Sequence, residues 1–350
     1  MGGAVAVDTA TDLPASAVAT RAGFWARMPR GLITVVIAVV ALFVVSAILA
    51  PSSVTKGPLL GMLPFAAVLA IVALGQTLVI QQGGIDISIM GAISLTAIIA
   101  THGPGGDDSK VFPSLLAALA VLIVAGLING FVVGRIGLNP IIATLGMNAL
   151  LYAMVLAYSQ GIPAMNSGLL EDLAAGLTFG IPNAVYWAIL ATVIVTVAVK
   201  RTVAGRKFEA VGANPTAAWA AGLRVKNQQM SAYVWAMVLY WLGGCLLAGI
   251  LKQPTAYQGD SYLLPSVAAV VLGGTSLLGG RGFPVATVLG ALFLSQLSNF
   301  ALGLGVSFAV RTLVEALALI IGVGLYTINW KGIRARLSSR PPSGKTVPDH

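Results

Sequence analysis

Apolar residues run through this chain in long stretches, without the alternation or the one-sided recurrence of a soluble fold. Ten runs can be read, at about 31–50, 60–80, 87–101, 113–134, 139–160, 184–199, 228–250, 263–279, 284–302 and 307–328. Most approach the roughly 20 residues with which a helix crosses about 30 Å of hydrocarbon. Barrel strands would alternate at every second residue and these runs do not, so helices must satisfy the backbone in lipid. The pattern predicts an all-α integral membrane protein of about ten transmembrane helices.

Composition agrees. The chain is 57% hydrophobic and 9% charged, with mean hydropathy +0.93, far from the roughly 25% charged content of a soluble domain. Basic residues then set the orientation. Sixteen Lys and Arg fall on the side shared with the N-terminus and three, Lys56, Lys110 and Lys252, on the other; Arg311 lies inside a run. This bias predicts an even number of crossings with both termini cytoplasmic. Asp107, Asp108, Glu171, Asp172 and Asp260 are expected in the external loops. The net charge of +9 is spread along membrane edges, which argues against nucleic acid as a partner.

Three regions follow: a polar, disordered cytoplasmic leader over 1–30, a transmembrane domain over 31–330 with a cytoplasmic loop at 200–227, and a disordered basic cytoplasmic tail over 331–350. The first run is expected to stay in place, because the leader is long and Ile48 stands three residues before a cleavage site after Ala50. Cys245 is the only cysteine, and His102 and His350 are far apart in the chain, so neither a metal site nor a nucleophile–base pair can be assembled. Ser343-Gly344-Lys345-Thr346 ends like a phosphate loop, but Ser339 stands where its first glycine belongs. The longest polar interruption, Lys200 to Asn227, is too short for a nucleotide-binding domain of about 100–200 residues.

Four blocks carry candidate chemistry. In the 200–227 loop, Asn214 is a good N-cap, Pro215 suits the first helical position and Gly222 ends the helix. This predicts a short helix held out at the cytoplasmic side, with Trp219 as an apolar anchor for a partner; a loop helix lying on the membrane surface is the plainer alternative. In Gln81-Gln82-Gly83-Gly84-Ile85-Asp86-Ile87-Ser88, two glycines break an apolar run, and Asp86 can cap the span that follows. That span is short, so Asp86 is expected either below the headgroups on a pathway or as a cap at the membrane edge.

The third block, Asn139-Pro140-Ile141-Ile142-Ala143-Thr144-Leu145-Gly146, opens a span with a cap, a first-turn proline and small residues suited to close helix packing. In the fourth, Gly273-Gly274 and Gly279-Gly280 bracket Thr275-Ser276. Because it breaks an apolar run as Gly83-Gly84 does, a divergent internal repeat is expected, pairing spans two to five with seven to ten. By polarity alone Gln76, Thr77, Asn129, Thr144, Asn148, Ser295, Gln296 and Asn299 are pathway candidates, though each is more readily read as a helix–helix contact.

Together, Gly-Gly-Ile-Asp-Ile-Ser, Asn-Pro-Ile-Ile-Ala-Thr-Leu-Gly, Gly-Arg-Lys-Phe-Glu-Ala-Val-Gly-Ala-Asn-Pro and Ala-Ala-Val-Val-Leu-Gly-Gly-Thr-Ser-Leu-Leu-Gly-Gly-Arg-Gly resemble the ribose/xylose/arabinose-type permeases of ABC importers, within the branched-chain amino acid/ribose permease superfamily. The likeness runs in family order from about 35 to 330; Met90 and Met147 stand where small residues are common. It implies a permease subunit without catalytic residues or cofactors that passes a monosaccharide or polyol inward, paired with a second permease copy or paralogue. It also implies a tandem cytoplasmic ATPase and a periplasmic or lipid-anchored sugar-binding protein. On this likeness Glu209, Gly212, Asn214, Pro215, Ala217, Ala218, Trp219 and Gly222 form the ATPase-coupling segment. Gly83, Gly84, Asp86, Ser88, Asn139, Thr144, Asn148, Gly273, Gly274, Thr275 and Asn299 are translocation-path candidates. Sugar identity is left open, since specificity in that family resides largely in the external binding protein. The rival class is an ion-coupled secondary transporter, for which only Asp86 and the Arg311/Glu315 pair offer intramembrane charge; a receptor or scaffold without transport is the third.

Overall fold

The structure is a computed structural model that describes residues 30–307 together with 309, 310, 312, 313, 316 and 317. The leader over 1–29, Arg311, Glu315, most of the tenth run and the tail lie outside the described residues. The described chain is helical: α1 (Arg30–Leu49), α2 (Lys56–Gln81), α3 (Ile89–His102), α4 (Val111–Phe131), α5 (Pro140–Ser159), α6 (Gly168–Ala174), α7 (Asn183–Arg201), α8 (Val203–Ala213), α9 (Pro215–Ala220), α10 (Val225–Ile250), α11 (Leu263–Leu272) and α12 (Pro284–Gly303). Among the described residues the only strands are the two-residue pair β1 (Leu177–Thr178) and β2 (Ile181–Pro182).

Among the described residues seven helices are long and apolar enough to cross a membrane: α1, α2, α4, α5, α7, α10 and α12. They differ in what surrounds them. The most apolar window of α2 is 89% buried and that of α1 only 11%, so α2 is a core helix, apolar all round. By contrast α1 lies on the outer wall, with Ile37, Val40 and Ile48 exposed. Around α2 pack α10, α12, α7 and α11; α10 also packs on α3 and α4, and α5 packs on α3.

Lipid tails are as apolar as leucine, so these contacts depend on close approach. Gly126 and Gly130 of α4 lie against the backbone of Val234 and Met230 on α10. Gly244 of α10 fits against Thr96 of α3, and Gly290 of α12 against the Ala269 carbonyl of α11.

Two predicted spans are corrected. The run at 263–279 is helical only to Leu272, and 273–283 form turns; the run at 87–101 begins its helix at Ile89. At 14 and 10 residues, α3 and α11 reach about 21 and 15 Å, short of a bilayer core. Irregular segments at 82–88 and 251–262 precede them; Gly84, Asp86 and Ser88 of the first and Pro254, Gly259 and Tyr262 of the second are buried. The two glycine breaks are also not in equivalent places. One follows the 26-residue α2 and the other the 10-residue α11, whereas the expected repeat would pair α2 with the equally long α10. The sequence patterns did not indicate α6, the β1–β2 hairpin or α8.

Candidate functional site

Both glycine breaks and α8 meet at one end of the bundle. Thr202 caps α8, its hydroxyl accepting from Gly205 N at 2.9 Å. One face of α8 buries Gly205, Phe208 and Val211, the spacing of a single helical stripe. Gly205 lies against the last turn of α7 with no room for a side chain, and Lys200 of α7 pairs with Glu209 of α8. The Lys200 ammonium also lies 5.1 Å from the Phe283 ring centroid, tying α7 to the turn before α12.

The far end of α8 is held by α2 and by the second break. A β-carbon on Gly212 would overlap the Gln81 carbonyl oxygen. That oxygen accepts from Gly280 N at 3.0 Å, and Gln82 Nε2 donates to the Phe208 carbonyl at 2.9 Å. A β-carbon on Gly279, whose φ is +90°, would come within 2.8 Å of Gly212 O. Three chain segments thus share one backbone knot, which the sequence motifs, read singly, did not reveal. The Gln81 carboxamide is buried there with no hydrogen-bond partner among the described residues.

Beyond the knot, α9 follows the sequence signals. Asn214 Oδ1 accepts from Ala217 N at 3.0 Å, Pro215 occupies the first turn, and Gly222 turns the chain with φ +79°. Ala218 is buried, while Trp219 is 72% exposed, an apolar side chain standing free at the end of the bundle.

The Gly83-Gly84 break turns back into the bundle. Gly83 has φ +82°, and a β-carbon on Gly84 would come within 2.7 Å of the Tyr233 hydroxyl. Asp86 is fully buried; its Oδ1 accepts from Ser88 N at 2.9 Å and from the Ser88 hydroxyl, which in turn accepts from Asn129 Nδ2 at 3.0 Å. Thr144 Oγ1 accepts from Ile87 N at 3.0 Å and donates to Pro140 O at 2.8 Å. Asn148 Oδ1 accepts from Gly91 N at 2.8 Å.

The expected Asp86 cap is therefore corrected: Asp86 closes the turn before α3, Ser88 is the N-cap position without a side-chain cap bond, and Asn148 of α5 supplies the acceptor at α3's third residue. Thr144 lies about 6 Å along α5 and Asn148 about 12 Å, so the break enters well past the start of α5. Asp86 Oδ2 has no partner among the described residues.

Other candidates act as joints. Asn139 caps α5, accepting from Ile141 N at 2.9 Å. Thr77 pairs with Thr287 at 3.1 Å, and Gln76 Oε1 accepts from Tyr240 at 2.7 Å. Gly273 lies against the Thr287 backbone and Gly274 has φ +86°; Thr275 Oγ1 accepts from Phe283 N at 3.3 Å and closes that turn. Gln296 and Asn299 of α12 bond Ser46 Oγ at 3.1 Å and Ser53 O at 2.7 Å, while Ser295 is half-buried.

The segment before α11 was not foreseen. Gly259 N donates to Ser94 Oγ of α3 at 2.9 Å, and a β-carbon there would overlap the Met90 carbonyl. Asp260, expected in an external loop, is exposed in the segment between α10 and α11 and accepts from the hydroxyl of Tyr152 in the second half of α5. Two cavities on the described surface, of about 940 and 710 Å³, are lined almost wholly by apolar side chains such as Leu190, Ile194, Trp235 and Leu239 in one and Ile128, Leu150 and Met154 in the other.

A family described as "branched-chain amino acid transport system / permease component" matches residues 59–324. The chain is similar to the ribose import permease RbsC of Bacillus subtilis, 35% identical over 288 residues that cover 81% of this chain and 88% of that protein. It is 33% identical to RbsC of Escherichia coli K12 over 82% and 91%. It is 34% identical to a probable ABC transporter permease, y4mJ, of Sinorhizobium fredii over 78% and 82%. No solved structure matches the chain.

Proposed function

Because this chain belongs to the branched-chain amino acid transport system / permease component family, we propose that it is the membrane-spanning permease subunit of an ATP-binding cassette importer for a monosaccharide or related polyol. The relatives named as ribose import permeases support the cargo class. The observation that carries the coupling role is the Gln81–Gly212–Gly280 knot, which ties α8 to both glycine breaks.

On this reading the chain sits in a bacterial cytoplasmic membrane with about ten crossings and both termini inside. An ATPase subunit docks on α9, with Trp219 as its anchor and Glu209 bracing α8 through Lys200. Closure of the ATPase pushes α9, and the knot passes the displacement to the ends of α2 and α11 as a rigid-body rocking of the bundle. A periplasmic or lipid-anchored binding protein delivers the sugar to the opposite end. Two permease copies, identical or paralogous, enclose the path, in keeping with the apolar lining of the two cavities described above.

A neutral, polyhydroxylated cargo needs hydrogen-bonding groups without trapping charge. Gly83, Gly84, Gly273, Gly274 and Thr275 shape the breaks beside the path. Ser88, Thr144 and Asn148 set their geometry, while Asn139 and Asn299 hold the flanking helices. Asp86, linked to Ser88 and Asn129, braces the turn without serving as an ion site. The test is ATPase activity of the matching ATPase in proteoliposomes, with and without this chain, with its binding protein loaded from a panel of sugars. Stimulation by one loaded sugar is expected. Uptake that needs a proton gradient and not ATP would favour an ion-coupled transporter instead.

A further inference from the structure

Residues 259 and 260 lie beside the middle of α5, by two contacts. Gly259 sits in the groove between Met90 and Ser94 of α3, and Gly91 beside them is held by Asn148, about 12 Å along α5. Asp260 meets Tyr152, about 18 Å along the same helix of about 30 Å. The chain arrives there as irregular backbone and leaves as the short α11. Such backbone survives at membrane depth only inside protein or beside water, and broken helices near the midplane mark cargo sites.

What this segment presents is polar. Asp260 is exposed on the surface of the chain, and an acid facing hydrocarbon at that depth is strongly unfavourable. The surface it belongs to therefore looks onto water, cargo or another protein chain. Beside it Tyr257 is half exposed, its ring centroid 5.1 Å from that of Tyr152 at 50°. A carboxylate makes short, charge-assisted hydrogen bonds with hydroxyls, and an aromatic face takes apolar C–H surface. Side by side they match a sugar, which has hydroxyls around its edge and C–H groups on its faces.

We propose that Tyr257 and Asp260, with Tyr152 holding the carboxylate in place, form a sugar-contact subsite halfway along the translocation path. This rests on the importer reading and adds to it a place where the permease itself senses cargo. The Gly259–Ser94 bond fixes the height of the subsite, and Tyr152 is a positioning residue.

The experiment uses the full complex in proteoliposomes: permease, ATPase and binding protein, with the sugar that stimulates it and a set of mono-deoxy analogues. Uptake by Asp260→Asn, Tyr257→Leu and Tyr257→Phe is expressed for each analogue relative to wild type, which cancels the binding protein's own preference. Asp260→Asn is expected to lower uptake of the parent sugar about tenfold, and much less for the one analogue that lacks the contacted hydroxyl, as follows from one charge-assisted hydrogen bond. Tyr257→Leu is expected to lower uptake of all analogues, and Tyr257→Phe to restore it, because the contact is with the ring. In a Cys245→Ser chain, Tyr257→Cys is expected to react with a water-soluble thiol reagent and to be shielded during turnover with the sugar.

A uniform loss across analogues for Asp260→Asn, or a thiol at 257 that never reacts, would assign this face to packing between chains and overturn the subsite. Wild-type uptake in all variants would overturn it as well. Failure of any sugar to stimulate the wild-type complex overturns the importer reading, and the subsite with it.

Discussion

Gly212 of α8 and Gln81 of α2 are in backbone contact: the Gln81 carbonyl occupies the space that a side chain at 212 would need. The same oxygen binds Gly280 N at 3.0 Å, so one carbonyl joins the projecting α8–α9 segment to both glycine breaks.

Gly212→Ala should therefore act on stability and coupling together. Forcing a methyl into a packed contact costs about 1–3 kcal/mol, and the knot must open to admit it. Gly222→Ala meets no neighbour and carries only the left-handed backbone penalty of about 1–2 kcal/mol. Thermal unfolding in detergent should fall for both, while sugar-stimulated ATPase should collapse only for Gly212→Ala.

Asn214→Ala removes the cap of a six-residue helix, at a cost of about 1 kcal/mol. A helix this short has little else to hold its first turn, so ATPase stimulation should drop while Asn214→Asp keeps it. Titrating the ATPase against each variant in detergent checks the order.

Trp219→Ala leaves the fold alone, since the side chain is 72% exposed. If it anchors the ATPase, its loss should weaken the complex about tenfold or more, the scale of an interfacial hot spot. An unchanged dissociation constant would remove Trp219 from the docking surface.

Asn148→Leu deprives the Gly91 N–H of its acceptor inside the bundle. An orphaned buried donor costs about 1–3 kcal/mol, and the damage should appear as faster hydrogen exchange at the start of α3. Asn139→Ala, which removes an exposed cap on α5, should leave α3 protected.

Gly259→Ala cannot be accommodated without moving the 251–262 segment, because the Met90 carbonyl fills the site. Ser94→Ala removes only one acceptor, about 1 kcal/mol. Yield of assembled complex should fall sharply for the first and little for the second.

Local chemistry was legible at once. The cap at Asn214, Pro215 after it and the turn at Gly222 lie within nine residues, and a helix end depends on neighbours that close. Seven long apolar runs likewise became helices long and apolar enough to span a membrane, because hydrocarbon admits few other backbones. Asp86 shows where such reading stops. It precedes α3 as a cap would, yet that cap comes from Asn148, 62 residues away, once α5 lies alongside.

Asp260 shows the same limit more plainly. Near basic Lys252 and before an apolar run, it reads as a loop acid with no marked partner. Nothing local says that Gly259 fits the Met90–Ser94 groove or that Tyr152 waits beside it. The sequence by itself determined the solvent, the approximate limits of the long helices, and the ends of α9, since burial of apolar length and capping are short-range. Only the tertiary structure decided that both glycine breaks converge on Gly212, and that Gly259 packs on α3. Those outcomes rest on small residues, far apart in the chain, letting backbones touch, and that contact exists only once the helices have packed.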